Sequence, residues 1–502
     1  MQNAADEPRI RDSKGDMNKS PKVTEINISK QARALAWLRL TDYVMVVICG
    51  FAAIGVLSEV VVSIRAGDAG MLVVELILSA ILCFLAYAGW RHHGVIDPAI
   101  WRAYHVIFPL LSVLCLLTVL LHVSSLLVTY TSLSDFMEQK GKIEFAEEFN
   151  GLVVLIWTGS MSLLGWISLR LLRRTKILAM DSTVGHVLLR LTVNADVRAV
   201  EKANIKRINK PRGLAIGAAG SLILLAYILS PLPRNEIWAE FILRNNHFIM
   251  PLGFFLLVWA ERYFQFDADS LLAVDKRPPI VFLRSFADDE KQHYLTSTRA
   301  FLDFSLEYRL FRHFFRFGPF VAIGSPNETV PSLGAARVRL SEDEWQPRVL
   351  RWIRDAKLII MYSGKTYWVN WELRQVVGNE CATRLILMIP EIKTWRRWRR
   401  DKEILARMEQ VRDAFKSTPW EDELLKFNDF AELRAMLFRP DGSMVMIKSR
   451  SRSRDSYHLA ALVAHRVLID PDVLKGDHED VQKADEARQG GKSEALPTNN
   501  NA

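Results

Sequence analysis

The apolar residues of this chain are concentrated in one stretch, and this division constrains the fold more than any other feature. Between Tyr43 and Phe264 the sequence consists largely of long apolar runs, whereas the region after Lys276 carries many charges and has an ordinary globular composition. The two halves suit different solvents. The sequence therefore predicts a membrane domain followed by a soluble domain.

Six apolar runs have the length of a membrane span. A helix needs about 20 mostly apolar residues to cross the hydrocarbon core of a bilayer. The sequence predicts an N-terminal segment over 1–42 and an α-helical membrane domain of about six transmembrane helices over 43–264. The predicted spans are Tyr43–Ile64, Met71–Trp90, Tyr104–Val128, Leu152–Leu171, Leu214–Leu232 and His247–Phe264.

The charges between these runs indicate an orientation. The N-terminal segment and the loops at Arg91–Arg102 and 173–212 are basic, whereas the loop around Glu144 is acidic. Lys and Arg accumulate on the cytoplasmic side of a membrane. The pattern predicts a multi-pass protein of the inner (plasma) membrane, with the segment 1–42, the loop 173–212 and both termini in the cytoplasm.

Charge and cysteine content favour a lipid partner over other classes. The formal net charge is +9, and much of it flanks apolar runs, where it contacts anionic headgroups. We therefore expect a lipid bilayer as partner and no nucleic acid. Three of the four cysteines lie in apolar runs and Cys381 stands alone, which predicts neither a disulfide framework nor a metal site. The first forty residues lack the apolar core of a signal peptide, so we expect the N-terminus to be retained.

Three ionisable residues fall inside predicted spans. Glu59, Glu75 and His122 lie at a similar depth in the outer part of the bilayer. Buried charges are costly in a membrane and often functional, so these residues form a candidate intramembrane cluster. The alternative is that each side chain reaches the nearby interface.

The soluble half alternates short β-branched runs with amphipathic segments. This rhythm predicts an α/β flavodoxin-like domain over 278–475, a five-stranded parallel sheet covered by helices. The polar tail 476–502 is predicted to be disordered. The predicted strands are Ile280–Leu283, Val321–Ile323, Leu358–Met361, Leu385–Ile389 and Met444–Ile447, and the predicted helices are Phe301–Phe315, Glu342–Asp355, Tyr367–Gly378, Asp401–Phe415, Asp429–Leu437 and Tyr457–Leu468.

Ligands of such sheets bind beyond the carboxyl ends of the strands, where the strand order reverses. This rule selects the segments after the predicted strands, which are Arg284–Glu290, Gly324–Pro331, Ser363–Glu372 and Lys448–Arg454. Arginines in the last segment are suited to hold phosphate, although a solvated loop explains them equally well.

Three sequence segments carry a resemblance to a known protein family. FLRSFADDE at Phe282–Glu290, AIGSPNETVPSLGAARV at Ala322–Val338 and GKTYWVNWEL at Gly364–Leu373 resemble an uncharacterised family of bacterial multi-span membrane proteins with a C-terminal domain. That domain is similar, more distantly, to Toll/interleukin-receptor (TIR) domains and nucleoside deoxyribosyltransferases. The resemblance implies a polar loop after the first strand, matched by Arg284–Ser285–Phe286, and a ligand-binding glutamate on a later helix, matched by Glu372.

These residues suit cleavage of an N-glycosidic bond. The reaction builds positive charge on the ribose, which a carboxylate such as Glu372 stabilises or attacks. Phe286 can stack on a base, and Arg284 can pair with phosphate. Ser285 and the backbone amides of Ser363 and Gly364 complete the predicted nucleotide site. The alternative for Glu372 is an acidic residue placed early in a helix by the helix dipole.

Two functions remain open from the sequence. One is a membrane-anchored signalling or defence protein whose TIR-like domain binds or cleaves a nucleotide such as NAD, with NAD as substrate and not as cofactor. The other is a non-catalytic signalling module that assembles through its TIR-like face, for example as a homo-oligomer. The first needs Glu372 and Arg284 in one pocket, whereas the second needs only an exposed self-complementary surface.

Overall fold

The computed structural model describes residues 23–41, 207–229, 246–284, 305–324, 333–338, 340–390, 397–428, 430 and 432–469, with a few helical residues between 73 and 170. The candidate intramembrane residues Glu59, Glu75 and His122 lie outside the described residues, as do Ser285 and Phe286.

The strands form one eight-stranded sheet in the order β1-β8-β7-β6-β5-β2-β3-β4. Strand β7 is antiparallel to both of its neighbours, and the other pairings are parallel. The strands are β1 (Val23–Asn27), β2 (Ile280–Leu283), β3 (Phe320–Ile323), β4 (Ala336–Val338), β5 (Leu358–Tyr362), β6 (Leu385–Met388), β7 (Leu433–Phe438) and β8 (Met444–Lys448).

Nine α-helices have both ends within the described residues, and two short 3₁₀ turns lie at Arg262–Phe264 and Ala382–Arg384. Residues 29–41 are also helical and are called the N-terminal helix below. The nine are α1 (Lys210–Ile228), α2 (Asn246–Glu261), α3 (Ala268–Val274), α4 (Leu306–Phe314), α5 (Glu342–Asp355), α6 (Tyr367–Gly378), α7 (Arg397–Ala414), α8 (Glu421–Lys426) and α9 (Arg454–Ile469).

The prediction of a five-stranded parallel sheet is wrong. All five predicted strands are present, as β2, β3, β5, β6 and β8, but three more strands join them and β7 runs antiparallel. The segment Asp429–Leu437, predicted to be helical, contains most of β7. It forms a hairpin with β8, and its turn holds Gly442 at φ +78°, a conformation that glycine adopts without strain. Pairing with β8 therefore overrides the local helical pattern.

The N-terminal segment is part of the same sheet. Strand β1 pairs in parallel with β8 along its whole length. The N-terminal helix buries Ala32, Leu35 and Leu38 in the core, and Arg39 pairs with Asp455 at the start of α9. Because one sheet joins both ends of the described chain, residues 23–41 lie in the same compartment as the rest of the sheet.

The side chains along each strand point alternately to the two faces of the sheet, and each face has its own hydrophobic core. Ile280, Phe282 and Tyr362 face the N-terminal helix, α4 and α9 on one side of the sheet, which we call the first face. Leu283 and Met361 face α3, α5, α6 and α7 on the second face. Successive strand residues point to opposite faces, so each buried strand is apolar throughout.

Helices α1 and α2 form an antiparallel hairpin that packs through glycine. A Cβ added at Gly213 would lie 3.0 Å from the Phe264 ring, and one at Gly220 would lie 2.8 Å from the Gly253 carbonyl oxygen. The side of α1 away from α2 is apolar and exposed, with Leu222 at 64% exposure. Close approach through small residues is typical of helix pairs in membranes.

The base of this hairpin is fixed to the sheet. The backbone of Ile208 bonds to Gln265, and the Arg207 guanidinium lies 3.8 Å from the centre of the Phe266 ring. Asp267 then forms an isolated parallel bridge with Arg337 of β4. This bridge covers the edge of the sheet and leaves both ends of the hairpin on the same side.

The prediction of six transmembrane helices is also wrong. Within the described residues, one helix, α1, is long and apolar enough to cross a membrane. At 19 residues it is about 28 Å long. The run predicted at His247–Phe264 overlaps α2, which has 16 residues and ends at Glu261, where a 3₁₀ turn begins. An apolar run alone does not reveal this early end, and multi-pass localisation is not supported.

Replacing Gly220 by Ala should separate the two hairpin helices. Its Cβ would lie 2.8 Å from a backbone oxygen, so we expect a loss of roughly 1–3 kcal/mol in the free energy of unfolding. Gly217→Ala is the matched control, because its Cβ would lie 3.6 Å from Ala260 and alanine favours the helix. Thermal unfolding of the full chain in detergent tests this, and equal unfolding temperatures for the two variants would contradict the packing.

Candidate functional site

The strand order reverses between β2 and β5. From β2 the chain proceeds through β3 and β4 to one side and returns at β5 on the other side. Leu283 pairs with Met361, so the next residues, Arg284 and Tyr362–Ser363, are neighbours at the carboxyl edge of the sheet. This is the position where open α/β sheets bind their ligands.

A buried carboxylate organises this edge on the first face. Glu307 of α4 is fully buried. One guanidinium nitrogen of Arg337 lies 2.7 Å from each of its oxygens, and the Arg284 Nε lies 3.7 Å away. The backbone N–H of Ala335 also donates to Glu307. We call Arg284, Glu307 and Arg337 the switch-point cluster.

Glycine is required beside this cluster. Gly334 has φ +146°, and a Cβ there would lie 2.7 Å from the Glu307 Cγ. Its N–H donates to the side-chain oxygen of Gln265 in the hairpin base. The switch-point cluster is therefore packed directly against the segment that joins the hairpin to the sheet.

Two buried hydroxyl groups at the end of β5 have no hydrogen-bond partner among the described residues. They are the Tyr362 OH and the Ser363 Oγ. Burial, followed by the nearby Tyr457 and Glu307, raises the pKa of Tyr362 well above its usual value, so the phenol stays protonated and able to donate. Buried polar groups are rarely left unpaired without a functional reason.

Glu372 is buried on α6. It lies on the same side of the helix as Val369, Leu373 and Val376, which pack on the second face of the sheet. Burial raises the pKa of Glu372 to about 8, and its Oε2 has no hydrogen-bond partner in the described structure. A raised pKa is typical of catalytic acids and bases, and it means that the carboxyl is largely protonated at neutral pH.

The predicted site residues therefore occupy two places. Arg284 and Ser363 meet at the strand-order reversal, and Gly364 is buried beside them. Arg407 of α7 donates to the Ser363 carbonyl oxygen at 2.5 Å and fixes this loop. Glu372 belongs to the helix that follows the loop, but it faces the second core. Arg284 points to the first face, as Ile280 and Phe282 do.

Four residues of this edge were not predicted from the sequence: Glu307, Arg337, Tyr362 and Arg434. Glu307 sits in an amphipathic pattern where acidic residues are normally exposed, and its burial depends on two arginines that are distant in sequence. Tyr362 continues the apolar run of β5 and looks like an ordinary core residue. Arg434 lies in the segment that was predicted to be a helix. A signal was present for Arg337, since it interrupts the small apolar residues around it.

Other buried titratable groups are poor candidates for chemistry. Burial lowers the pKa of His465 to about 3 and that of His313 well below its usual value. Both rings pack against Phe317 between α4 and α9, so they act as neutral core residues. Among the described residues, no group of three or more His, Cys, Asp or Glu side chains is arranged to hold a metal ion.

Comparison with protein-family profiles, with curated proteins and with solved structures finds no match for this chain.

Neutralising Glu307 should destabilise the protein strongly. Glu307→Gln leaves Arg284 and Arg337 buried without their carboxylate, so we expect a loss of roughly 3–5 kcal/mol in the free energy of unfolding. The matched control is Asp269→Asn, which removes the partly exposed pair with Arg348 and should cost about 1 kcal/mol or less. Denaturant unfolding measures both, and similar losses would show that Glu307 is not essential to the edge.

Proposed function

We propose that this protein is a membrane-attached signalling or defence protein that binds a ribonucleotide such as NAD at the carboxyl edge of its sheet and cleaves the N-glycosidic bond. The observation that carries the proposal is the pair of buried, unpartnered hydroxyls of Tyr362 and Ser363 at the strand-order reversal, beside Arg284. A ribose or a base offers the hydrogen-bond partners that these groups lack.

The arginines at this edge suit an anionic ligand. Arg284 and Arg337 both lie beside Glu307. A phosphate group accepts readily from guanidinium groups. Nucleotides combine such a phosphate with a ribose and a flat base, which agrees with the predicted role of Phe286 as a stacking residue.

Glu372 is the proposed catalytic carboxylate. It lies on the second face and Arg284 on the first, so the ligand would have to pass over the carboxyl end of β5 to reach both. The glycosidic bond breaks and its electron pair leaves with the base. Water then forms a bond to the anomeric carbon through its oxygen and releases one proton to the solvent. A carboxylate stabilises the positive ribose formed on the way. Burial raises the pKa of Glu372 to about 8, and a cationic ring such as nicotinamide would favour its charged form.

Membrane attachment is proposed through the α1–α2 hairpin. Its exposed apolar side needs an apolar environment, and α1 matches the thickness of the hydrocarbon core. Lys210 and Arg212 at its base would contact anionic headgroups. Both ends of the hairpin join the sheet, so the sheet and the N-terminal segment would face the cytoplasm together.

The second candidate is a non-catalytic module that assembles with further copies of this chain. Its support is the exposed first turn of α6, where Tyr367 is 71% and Trp368 48% exposed. Trp368 packs edge-on against Trp345 of α5. Exposed aromatic residues are enriched in protein interfaces, and this function needs no ionised Glu372.

Replacing Glu372 by Gln should separate cleavage from binding. The full chain in detergent or vesicles is incubated with a panel of nucleotides. The amount of released base and the amount of bound nucleotide are both measured. We expect the wild-type rate to rise through about pH 8 as the Glu372 carboxylate forms. The variant should lose about 100-fold or more of the rate while keeping nucleotide binding.

The matched control is Glu409→Gln, which changes an exposed acid on α7 and should leave the rate unchanged. Because the carboxylate of Glu372 is destabilising when buried, the Gln variant should unfold at the same temperature as wild type or higher, increasingly so as the pH rises. Nucleotide binding without base release from any member of the panel would favour the second candidate. Absence of nucleotide binding would refute the proposed site.

A charge on the exposed side of α1 should release the protein from membranes. Leu222→Lys places an ammonium group near the middle of the helix, which costs about 3 kcal/mol in a bilayer. Leu425→Lys is the control, because Leu425 is a 54% exposed leucine on α8 of the sheet domain. Membrane fractionation after a carbonate wash measures retention. Equal retention of both variants would contradict the role of the hairpin.

A further inference from the structure

Arg434 lies at the same edge of the sheet as the proposed site. Because β7 runs antiparallel, its first residues are level with the carboxyl ends of the parallel strands, and Leu433 pairs with Lys448. The Arg434 carbonyl oxygen accepts from Ile389 at the end of β6. The side chain is buried.

Two of the three guanidinium nitrogens of Arg434 are satisfied. Its Nε donates to the Ser451 carbonyl oxygen at 3.0 Å, and one terminal nitrogen donates to the Leu433 carbonyl oxygen at 2.7 Å. The other terminal nitrogen has no partner, and no described carboxylate lies within ion-pair distance. A buried cation without an anion is costly, which points to an anionic ligand.

This guanidinium lies at the start of α9. It is 5.5 Å from the centre of the Tyr457 ring and bonds to the loop that precedes the helix. Ser456, in the first turn, has a fully buried Oγ with no hydrogen-bond partner among the described residues. A 16-residue helix presents the positive end of its dipole to an anion at this turn. The N–H groups of Ser456 and Tyr457 already donate to the Ser453 carbonyl oxygen, so the donors offered to a ligand are the side chains.

The acid in this first turn is paired with cations. Asp455 forms ion pairs with Arg39 and with Arg309, at 2.5 and 2.6 Å. Its negative charge is therefore compensated next to the proposed anion.

We infer that Arg434, Ser456 and the first turn of α9 form a phosphate-binding subsite, and that the ligand of the proposed nucleotide site carries a phosphate or diphosphate there. The inference rests on the proposed function for the rest of the ligand. Tyr457 connects the two parts. Its ring contacts the Arg434 guanidinium, and its proximity contributes to the raised pKa of Tyr362 at the end of β5. The planar guanidinium and the hydroxyl match the tetrahedral oxygens of phosphate.

The test compares ligands with and without phosphate on the full chain in detergent. Inorganic pyrophosphate, ADP and adenosine are titrated against wild type and Arg434→Met, and thermal unfolding reports binding. We expect pyrophosphate and ADP to stabilise wild type. The variant should bind each of them with an affinity reduced by about tenfold or more. Adenosine binding should be equal in the two proteins. The unliganded variant should be as stable as wild type, because a buried unpaired charge has been removed.

Two further variants keep the test decisive. Arg450→Met removes a cation from the same loop whose side chain is 82% exposed, and it should bind pyrophosphate as wild type does. Ser456→Ala is the milder change, should fold, and should weaken pyrophosphate binding several-fold by loss of one donor.

The outcomes separate the two proposals. Unchanged ADP and pyrophosphate binding in Arg434→Met and Ser456→Ala would overturn the subsite and leave the nucleotide site intact. Pyrophosphate binding that depends on Arg434, without binding of any nucleotide, would support the subsite and refute the proposed function. An equal loss in Arg450→Met would show general charge attraction and overturn the subsite. If Arg434→Met is less stable with and without pyrophosphate, and Ser456→Ala binds normally, then Arg434 is structural.

Discussion

The ion pair between Glu307 and Arg337 connects the parts of this structure that matter for function. It joins α4 to the edge strand β4 inside a core from which water is excluded, where an unpaired charge would cost several kcal/mol. Glu307 also lies beside Arg284 at the strand-order reversal. The geometry of the proposed ligand edge therefore depends on a carboxylate that the ligand itself need not touch.

The same region receives the hairpin. The Arg337 N–H donates to the Phe266 carbonyl oxygen, and the Tyr308 hydroxyl of α4 donates to Glu261 at the end of α2. A displacement of the hairpin would therefore act on both partners of the ion pair. The backbone of Arg337 bonds to the hairpin base, and Tyr308, the residue after Glu307, bonds to α2. This connection gives the apolar hairpin a direct physical link to Arg284.

The parts of the fold that follow from local pattern were predictable, and the reason is visible in particular elements. Strand β2 and helices α5 and α6 have the predicted bounds, because continuous apolar runs and amphipathic periodicity act over a few residues. Strand β1 was not predictable, since its sequence is polar and it is stable only as the partner of β8. The same holds for β7, whose helical pattern loses to the hairpin.

By itself, the sequence determined which segments are apolar, the bounds of β2, α5 and α6, and to within one residue where five of the strands end, because these properties depend on neighbours along the chain. It thus predicted Arg284 and Ser363 at one edge. Tertiary structure alone decided the number of strands, the end of α2 and the burial that raises the pKa of Glu372 to about 8. It also brought Arg434 to the start of α9. These features arise from contacts between residues far apart in sequence, where desolvation and pairing, and not local propensity, set the free energy.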